Sequence, residues 1–222
     1  MPDTSSVPKE ASHATSQENN DASTKIVFDD EADFERAQRG LIATLPEGKV
    51  TIDNQTVWDC SQYDFLRENS SAPDTVHPGL WRQGRLNAIH GLFEVMDGVW
   101  QVRGYDISNL TLVAGKTGWI LIDVLTTAAT AKACLELANE HLGARPVKAV
   151  IYTHSHADHF GGILGVTTAE EVERGQVRII APEGFLEEVV NENVIAGAAM
   201  ARLSRSDRNR RFYRTIALRS QS

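Results

Sequence analysis

The segment Thr153–His154–Ser155–His156–Ala157–Asp158–His159–Phe160–Gly161–Gly162 places three imidazoles and one carboxylate within six consecutive positions. That donor set suits a divalent metal: zinc first, and also iron or manganese. On an extended or looping backbone, His154 and His156 project to one side. Asp158 and His159 can then turn toward a second point nearby. Gly161 and Gly162 allow a tight turn and a close backbone approach. A structural zinc site is usually closed by cysteine, and none is near. Cys60 and Cys134 lie 74 positions apart and read as two buried thiols, not as a disulfide framework or a metal site. A His-rich surface loop is the plain alternative, but such a loop has no reason to start directly after a buried strand.

The apolar run Val147–Tyr152 is that strand, so the cluster sits at a strand's C-terminal end, where α/β sheets place their ligands. Three further strands are predicted upstream, over Val99–Val102, Leu110–Ala114 and Trp119–Ile122. Gly115–Lys116–Thr117–Gly118 turns the second into the third as a hairpin, and Asp123 ends the third. Thr127–Leu142 carries Ala131, Leu135, Ala138 and Leu142 at helical spacing, and Gly143 and Pro146 stop it. Val177–Ala181 reads as a strand, and Pro182–Asn193 as a helix with proline in its first turn. Alternating strands and helices imply an α/β sandwich whose helices cover a sheet, with no internal repeat. Before residue 91 the signals are weaker. Residues 1–25 read as a disordered polar tail. A helix is expected from about Glu31 to Thr44, a packing arm over Val50–Ser71 and a loop over Pro73–Gly84. The domain reading is therefore 1–25 tail, 26–90 helix and arm, 91–202 catalytic-type domain and 203–222 a second tail.

Composition sets the outer bounds. The chain has 222 residues, 41% hydrophobic and 23% charged, which fits a globular domain and excludes a wholly disordered or collagen-like chain. A net charge of −8 argues against general nucleic-acid binding. No apolar stretch approaches a membrane span. The first 25 residues lack a basic start and an apolar core, so a cytoplasmic location is expected. The last twenty residues depart from the rest, with six Arg and one acid.

His154-x-His156-x-Asp158-His159 resembles the metal signature of the metallo-β-lactamase superfamily. The resemblance implies an αββα sandwich, here its first half. It assigns His154 and His156 to one metal site, Asp158 and His159 to a second, and Asp123 to a supporting role through hydrogen bonds. A narrower resemblance is to the dodecyl-sulfate-degrading alkyl sulfatases. It is carried by Phe28–Asp29–Asp30, Val57–Trp58–Asp59, Tyr63–Asp64–Phe65–Leu66, His77–Pro78–Gly79–Leu80–Trp81–Arg82–Gln83, Gln101 to Asp106, Ser108–Asn109 and Asn191–Glu192–Asn193–Val194. It implies two Zn2+ ions, a metal-bridged hydroxide and hydrolysis of a small amphiphilic sulfate ester to alcohol and sulfate. Asn109, Tyr105 and Arg103 are the candidate substrate-binding side chains. The resemblance also implies that the remaining ligands and the dimerisation domain lie beyond Ala201 in the family. It breaks at Ala201–Arg202, and the Arg/Ser bias after it is the pattern expected of an out-of-frame tail. Two alternatives stay open: another hydrolase of this superfamily, and an inactive, truncated metal-binding remnant.

Overall fold

The computed structural model describes residues 10–26, 30–68 and 71–197. The Arg/Ser-rich segment 203–222, the first nine residues and Phe28–Asp29 of the quoted motif fall outside the described residues. The chain divides into two compact units, one of Met1–Arg39 with Cys60–Ile89, the other of Gly40–Asp59 with His90–Ser222.

The first unit is helical: α1 (His13–Lys25), α2 (Ala32–Gln38), α3 (Asp64–Glu68) and α4 (Pro78–Asn87). Two expectations are corrected here. The composition of residues 1–25 predicts disorder, yet α1 forms over its second half. Its Ser12 side chain accepts the Thr15 N–H, and Asn19 Nδ2 donates to the Asp74 carbonyl at 2.7 Å. Capping and one long-range bond hold a helix that buries nothing. The second correction concerns Pro73–Gly84, expected as a loop. His77 caps α4 through its ring, Pro78 fills the first helical position, and buried Trp81 meets Phe65 at 5.8 Å. Arg82 reaches the Asp30 carbonyl at 2.8 Å and Asp33 at 3.0 Å, and Arg82 and Arg85 both cover the Phe34 ring.

The second unit holds a seven-stranded mixed sheet, whose strands lie side by side in the following order. Its strands are β1 (Leu41–Ala43), β4 (Gly91–Met96), β5 (Val99–Arg103), β6 (Leu110–Ala114), β7 (Trp119–Ile122), β8 (Val147–Ile151) and β9 (Arg178–Ile180). A separate hairpin, β2 (Lys49–Ile52) and β3 (Gln55–Asp59), turns on Asp53–Asn54, both at positive φ as a two-residue turn requires. Strand pairing is antiparallel from β1 to β7 and parallel from β7 to β9. The helix expected over Glu31–Thr44 is the third correction: α2 stops at Gln38, Gly40 takes φ +78°, and Leu41 and Ala43 pair with Phe93 and Leu92 as β1. Apolar residues in that stretch serve a sheet edge instead of a helix face.

From β5 onward the expected strands and the hairpin turn are where the apolar runs place them. The parallel step from β7 to β8 is made by α5 (Ala128–Leu142), capped by Thr127 and ended at Gly143. Its buried face is Thr130, Ala131, Cys134, Leu137 and Ala138, rotated from the expected stripe by the choice of Leu137 over Leu135. Trp119 Nε1 donates to Asn139 of α5 at 2.8 Å, tying helix to strand. Fully buried Leu92, Phe93, Leu110, Leu112, Trp119, Leu121 and Val150 form the core. Cys60 and Cys134 are both buried as thiols. After β8 come α6 (Ala157–Phe160), α7 (Ala169–Glu173) and α8 (Phe185–Val190), which one π-helical turn, Asn191–Ile195, extends. No helix among the described residues is long and apolar enough to cross a membrane.

Candidate metal centre

Two adjacent parallel strand ends build the site. Asp123 directly follows β7 and Thr153 lies just past the end of β8, and Asp123 N–H donates to the Ile151 carbonyl at 2.9 Å. Asp123 then adopts φ +55°, a left-handed conformation that Asp tolerates better than most residues. The chain leaves the sheet there. The Val124 N–H donates to the His159 carbonyl at 2.8 Å and the Gly162 N–H to the Leu125 carbonyl at 2.9 Å. The two loops are thus laced backbone to backbone. A Cβ on Gly162 would drive into the Val124 carbonyl oxygen and crowd Ala131, so only glycine permits this approach.

Buried Asp123 is the hub. Its Oδ1 accepts the Thr153 N–H at 2.9 Å. Its Oδ2 accepts the Thr153 hydroxyl at 2.8 Å and lies 2.7 Å from His159 Nδ1. A hydroxyl has one proton, and Thr153 gives its proton to Asp123, so toward His154 Nδ1, 2.9 Å away, it accepts. The network therefore assigns the ring proton of His154 to Nδ1, and that of His159 to Nδ1 facing the carboxylate. Each ring then keeps Nε2 as a lone-pair donor. His156 is turned the other way, with its Nε2 3.3 Å from Glu192 Oε1, which leaves Nδ1. The His154 ring centroid lies 4.0 Å from that of His159 and 4.5 Å from that of His156. His159 Nε2 faces Asp158 Oδ2 at 3.3 Å.

All four expected ligands are therefore brought to one loop end, with Asp123 behind them. Among the described residues, no three His, Cys, Asp or Glu side chains converge as a closed metal-ligating set. The donor chemistry nonetheless fits a divalent cation. Each imidazole has one nitrogen held, His154 by Thr153, His159 by Asp123 and His156 by the contact with Glu192, and the second nitrogen of His159 is turned to the Asp158 carboxylate. With its proton on Nδ1, His159 sets an Nε2 lone pair against the Asp158 carboxylate, two acceptors that a cation between them would reconcile.

Two of the three candidate substrate side chains have other partners. The Tyr105 hydroxyl accepts the Leu45 N–H at 2.7 Å, and its buried ring meets His90 edge-on at 5.3 Å. Arg103 Nε donates to Gln101 at 2.7 Å and the guanidinium covers Phe93; burial holds it below the ordinary arginine value. Asn109 is exposed. Three neighbours of the site have no metal-signature pattern to announce them. Ser108 donates to the Asp158 carbonyl. Asp106 accepts from the Ile107 and Thr126 amides and from the hydroxyls of Thr126 and Thr130, fastening the loop after β5 to the start of α5. Burial pushes the Asp106 carboxyl up, against those hydrogen bonds, which pull it down. Glu192 arrives from 37 residues after Ser155, whose hydroxyl it accepts at 3.1 Å. All three fall in segments that carry the alkyl sulfatase resemblance, Asp106 in Gln101 to Asp106, Ser108 in Ser108–Asn109 and Glu192 in Asn191 to Val194, but none with a role.

Known proteins agree with this architecture. The family described as the metallo-beta-lactamase superfamily matches residues 103–213. A linear primary-alkylsulfatase of a Pseudomonas species is 49% identical over 195 residues, which cover 87% of this chain and 29% of that protein. An alkyl/aryl-sulfatase of Saccharomyces cerevisiae is 47% identical, over 88% of this chain and 30% of its own length. The solved structure of the stereoselective inverting sec-alkylsulfatase Pisa1 from Pseudomonas sp. superposes with a TM-score of 0.81 at 48% identity, over 87% of this chain and 30% of that one. The chain thus spans under a third of the length of these relatives. With the family match over half its residues and the superposition with an alkylsulfatase structure, the chain belongs to the metallo-beta-lactamase superfamily.

Proposed function

We propose that this chain carries the first metal-ligand loop of a metal-dependent hydrolase of alkyl sulfate esters. The observation that carries the reading is the hydrogen-bond network behind the loop. Asp123, Thr153 and Glu192 each occupy one side of a histidine pair or ring and leave His154 Nε2, His156 Nδ1, His159 Nε2 and the Asp158 carboxylate as donors. By resemblance, His154 and His156 serve one zinc and Asp158 and His159 a second. When bound, the metal supplies Lewis acidity for polarising the ester and activating water. This chain's residues hold their ring orientations, keep the loop at the strand ends, and fix which nitrogen is available. The substrate class rests on likeness to proteins named as alkylsulfatases, at 47–49% identity. Arg103, Tyr105 and Asn109 remain the candidates for the sulfate group, on resemblance alone.

The test is zinc uptake by the purified chain, followed by sulfate release from dodecyl sulfate and turnover of a chromogenic lactam. The expected result is zinc binding that His154→Ala and Asp158→Ala weaken, with sulfate release that a chelator abolishes and no lactam turnover. Lactam turnover would replace the substrate class. A zinc-loaded chain that releases no sulfate would overturn the activity and leave a metal-binding unit.

A further inference from the structure

We infer that Glu192 is a positioning residue for the metal site, clamping the histidine loop from its far side and selecting the nitrogen that His156 presents. The inference rests on the metal reading above and adds a residue to it.

Its carboxylate engages the loop with both oxygens. Oε1 lies 3.3 Å from His156 Nε2, and Oε2 accepts the Ser155 hydroxyl at 3.1 Å. With the Glu192 carboxylate at its Nε2, the His156 ring favours its proton there and Nδ1 as the donor atom, whereas His159, which faces carboxylates at both nitrogens, is set by the closer one, Asp123 at 2.7 Å. His154 and His159 are set the opposite way by Thr153 and Asp123. The loop therefore has two fasteners of opposite sense, Asp123 at the strand end and Glu192 beyond it. An imidazole held by a carboxylate through its second nitrogen is the recurring way proteins orient metal ligands.

The backbone beneath Glu192 is also unusual. It sits in the π-helical turn Asn191–Ile195 that continues α8, where the Ala196 N–H returns to the Asn191 carbonyl at 2.8 Å. Single π-helical turns inside helices are rare and concentrate at functional sites, because the wider turn re-aims side chains. Asn193 braces this turn through its Nδ2, which donates to the Val189 carbonyl at 2.9 Å. The Glu192 side chain is 28% exposed, against 51% for His156, so the carboxylate is the more sheltered partner of the contact. The motif Asn191–Glu192–Asn193–Val194 thus acquires a physical role: one residue shapes the turn, one reaches the site, one braces it.

The experiment compares zinc and cobalt(II) affinity of the full chain with Glu192→Ala, Glu192→Gln and Glu188→Ala. Glu188 is an exposed acid on α8 and controls for loss of charge. Circular dichroism checks that each variant folds. Glu192→Ala is expected to weaken zinc binding roughly 10- to 100-fold. Glu192→Gln, which keeps an acceptor, should recover most of that loss, and Glu188→Ala should match the wild type. In the cobalt-loaded chain, the His156 Nε2–H should give an exchange-protected, hyperfine-shifted proton resonance. It should persist in Glu192→Gln and vanish in Glu192→Ala, a signature that a merely stabilising residue would not control. Unchanged affinity and resonance in Glu192→Ala would overturn the inference while leaving the metal reading intact. Equal weakening in Glu188→Ala would also overturn it, in favour of bulk charge. A wild-type chain that takes up neither metal overturns both.

Discussion

Asp123 satisfies three donors with two oxygens while standing in a left-handed backbone conformation. Those two demands separate in mutants. Asp123→Asn keeps the backbone preference, since Asn and Asp share it, but exchanges one acceptor oxygen for an amide. Asp123→Ala loses both acceptors, strands the Thr153 and His159 donors and adds backbone strain. Zinc affinity should fall about 10- to 100-fold in either variant, because the orienting acceptor of His159 is gone. Stability should separate them: Asp123→Ala should lose about 1–3 kcal/mol more than Asp123→Asn in urea unfolding, from unsatisfied buried donors. Equal zinc affinity in the wild type and both variants would show that the His159 contact orients nothing.

At the scale of elements, Asp106 decides how the loop after β5 meets α5. Burial is the largest influence on its carboxyl and raises it above the ordinary value of 3.8. A raised acid adds stability that is fully present below 3.8 and is lost as pH rises through the folded value. Asp106→Asn cannot ionise and lacks that decline. The stability gap between wild type and Asp106→Asn should therefore be more favourable to the wild type near about pH 4 than at about pH 7, read by urea midpoints. A gap independent of pH would deny the shift. The same elements show what a sequence makes legible. β6, β7, α5 and β8 were readable because each buries a continuous run or a helical stripe, and the ligand loop because its donors are adjacent. α1 was not, because it buries no side chain and so has no apolar period. β1 was not, because a positive-φ glycine turns a helix-like pattern into a strand. Glu192, Ser108 and Asp106 reach the site only through tertiary contacts spanning 20 to 50 residues, which spacing alone does not encode.

For the molecule as a whole, the burial is unevenly shared. The sheet, α5 and the loops beside them (Tyr105, Val124 and Leu125) hold the largest fully buried side chains, whereas in the helical unit Cys60, Pro78 and Trp81 are buried among the described residues. The end of the sheet is the exposed part. Among the described residues β9 is one of the two edge strands, with Ile179 and Ile180 at 41% and 47% exposure, and Leu186, Val194 and Ile195 beyond it exceed 70%. An apolar strand with an open edge is a template for self-association. The 222-residue chain should scatter light on concentration, and Ile180→Lys should delay that onset without lowering the thermal midpoint. A wild-type chain that stays monomeric and melts cooperatively would refute this. The crossover from β7 through α5 to β8 has one more consequence. The Asp123–Thr153 bonds join residues 30 apart, and neither partner can meet the other until the parallel pair has closed around the helix. Hairpins such as β6–β7 can assemble earlier, since local pairing closes short loops first. During refolding, then, capture of a metal would act as a clock hand for topology: its appearance dates the closing of the crossover, separately from the collapse that precedes it.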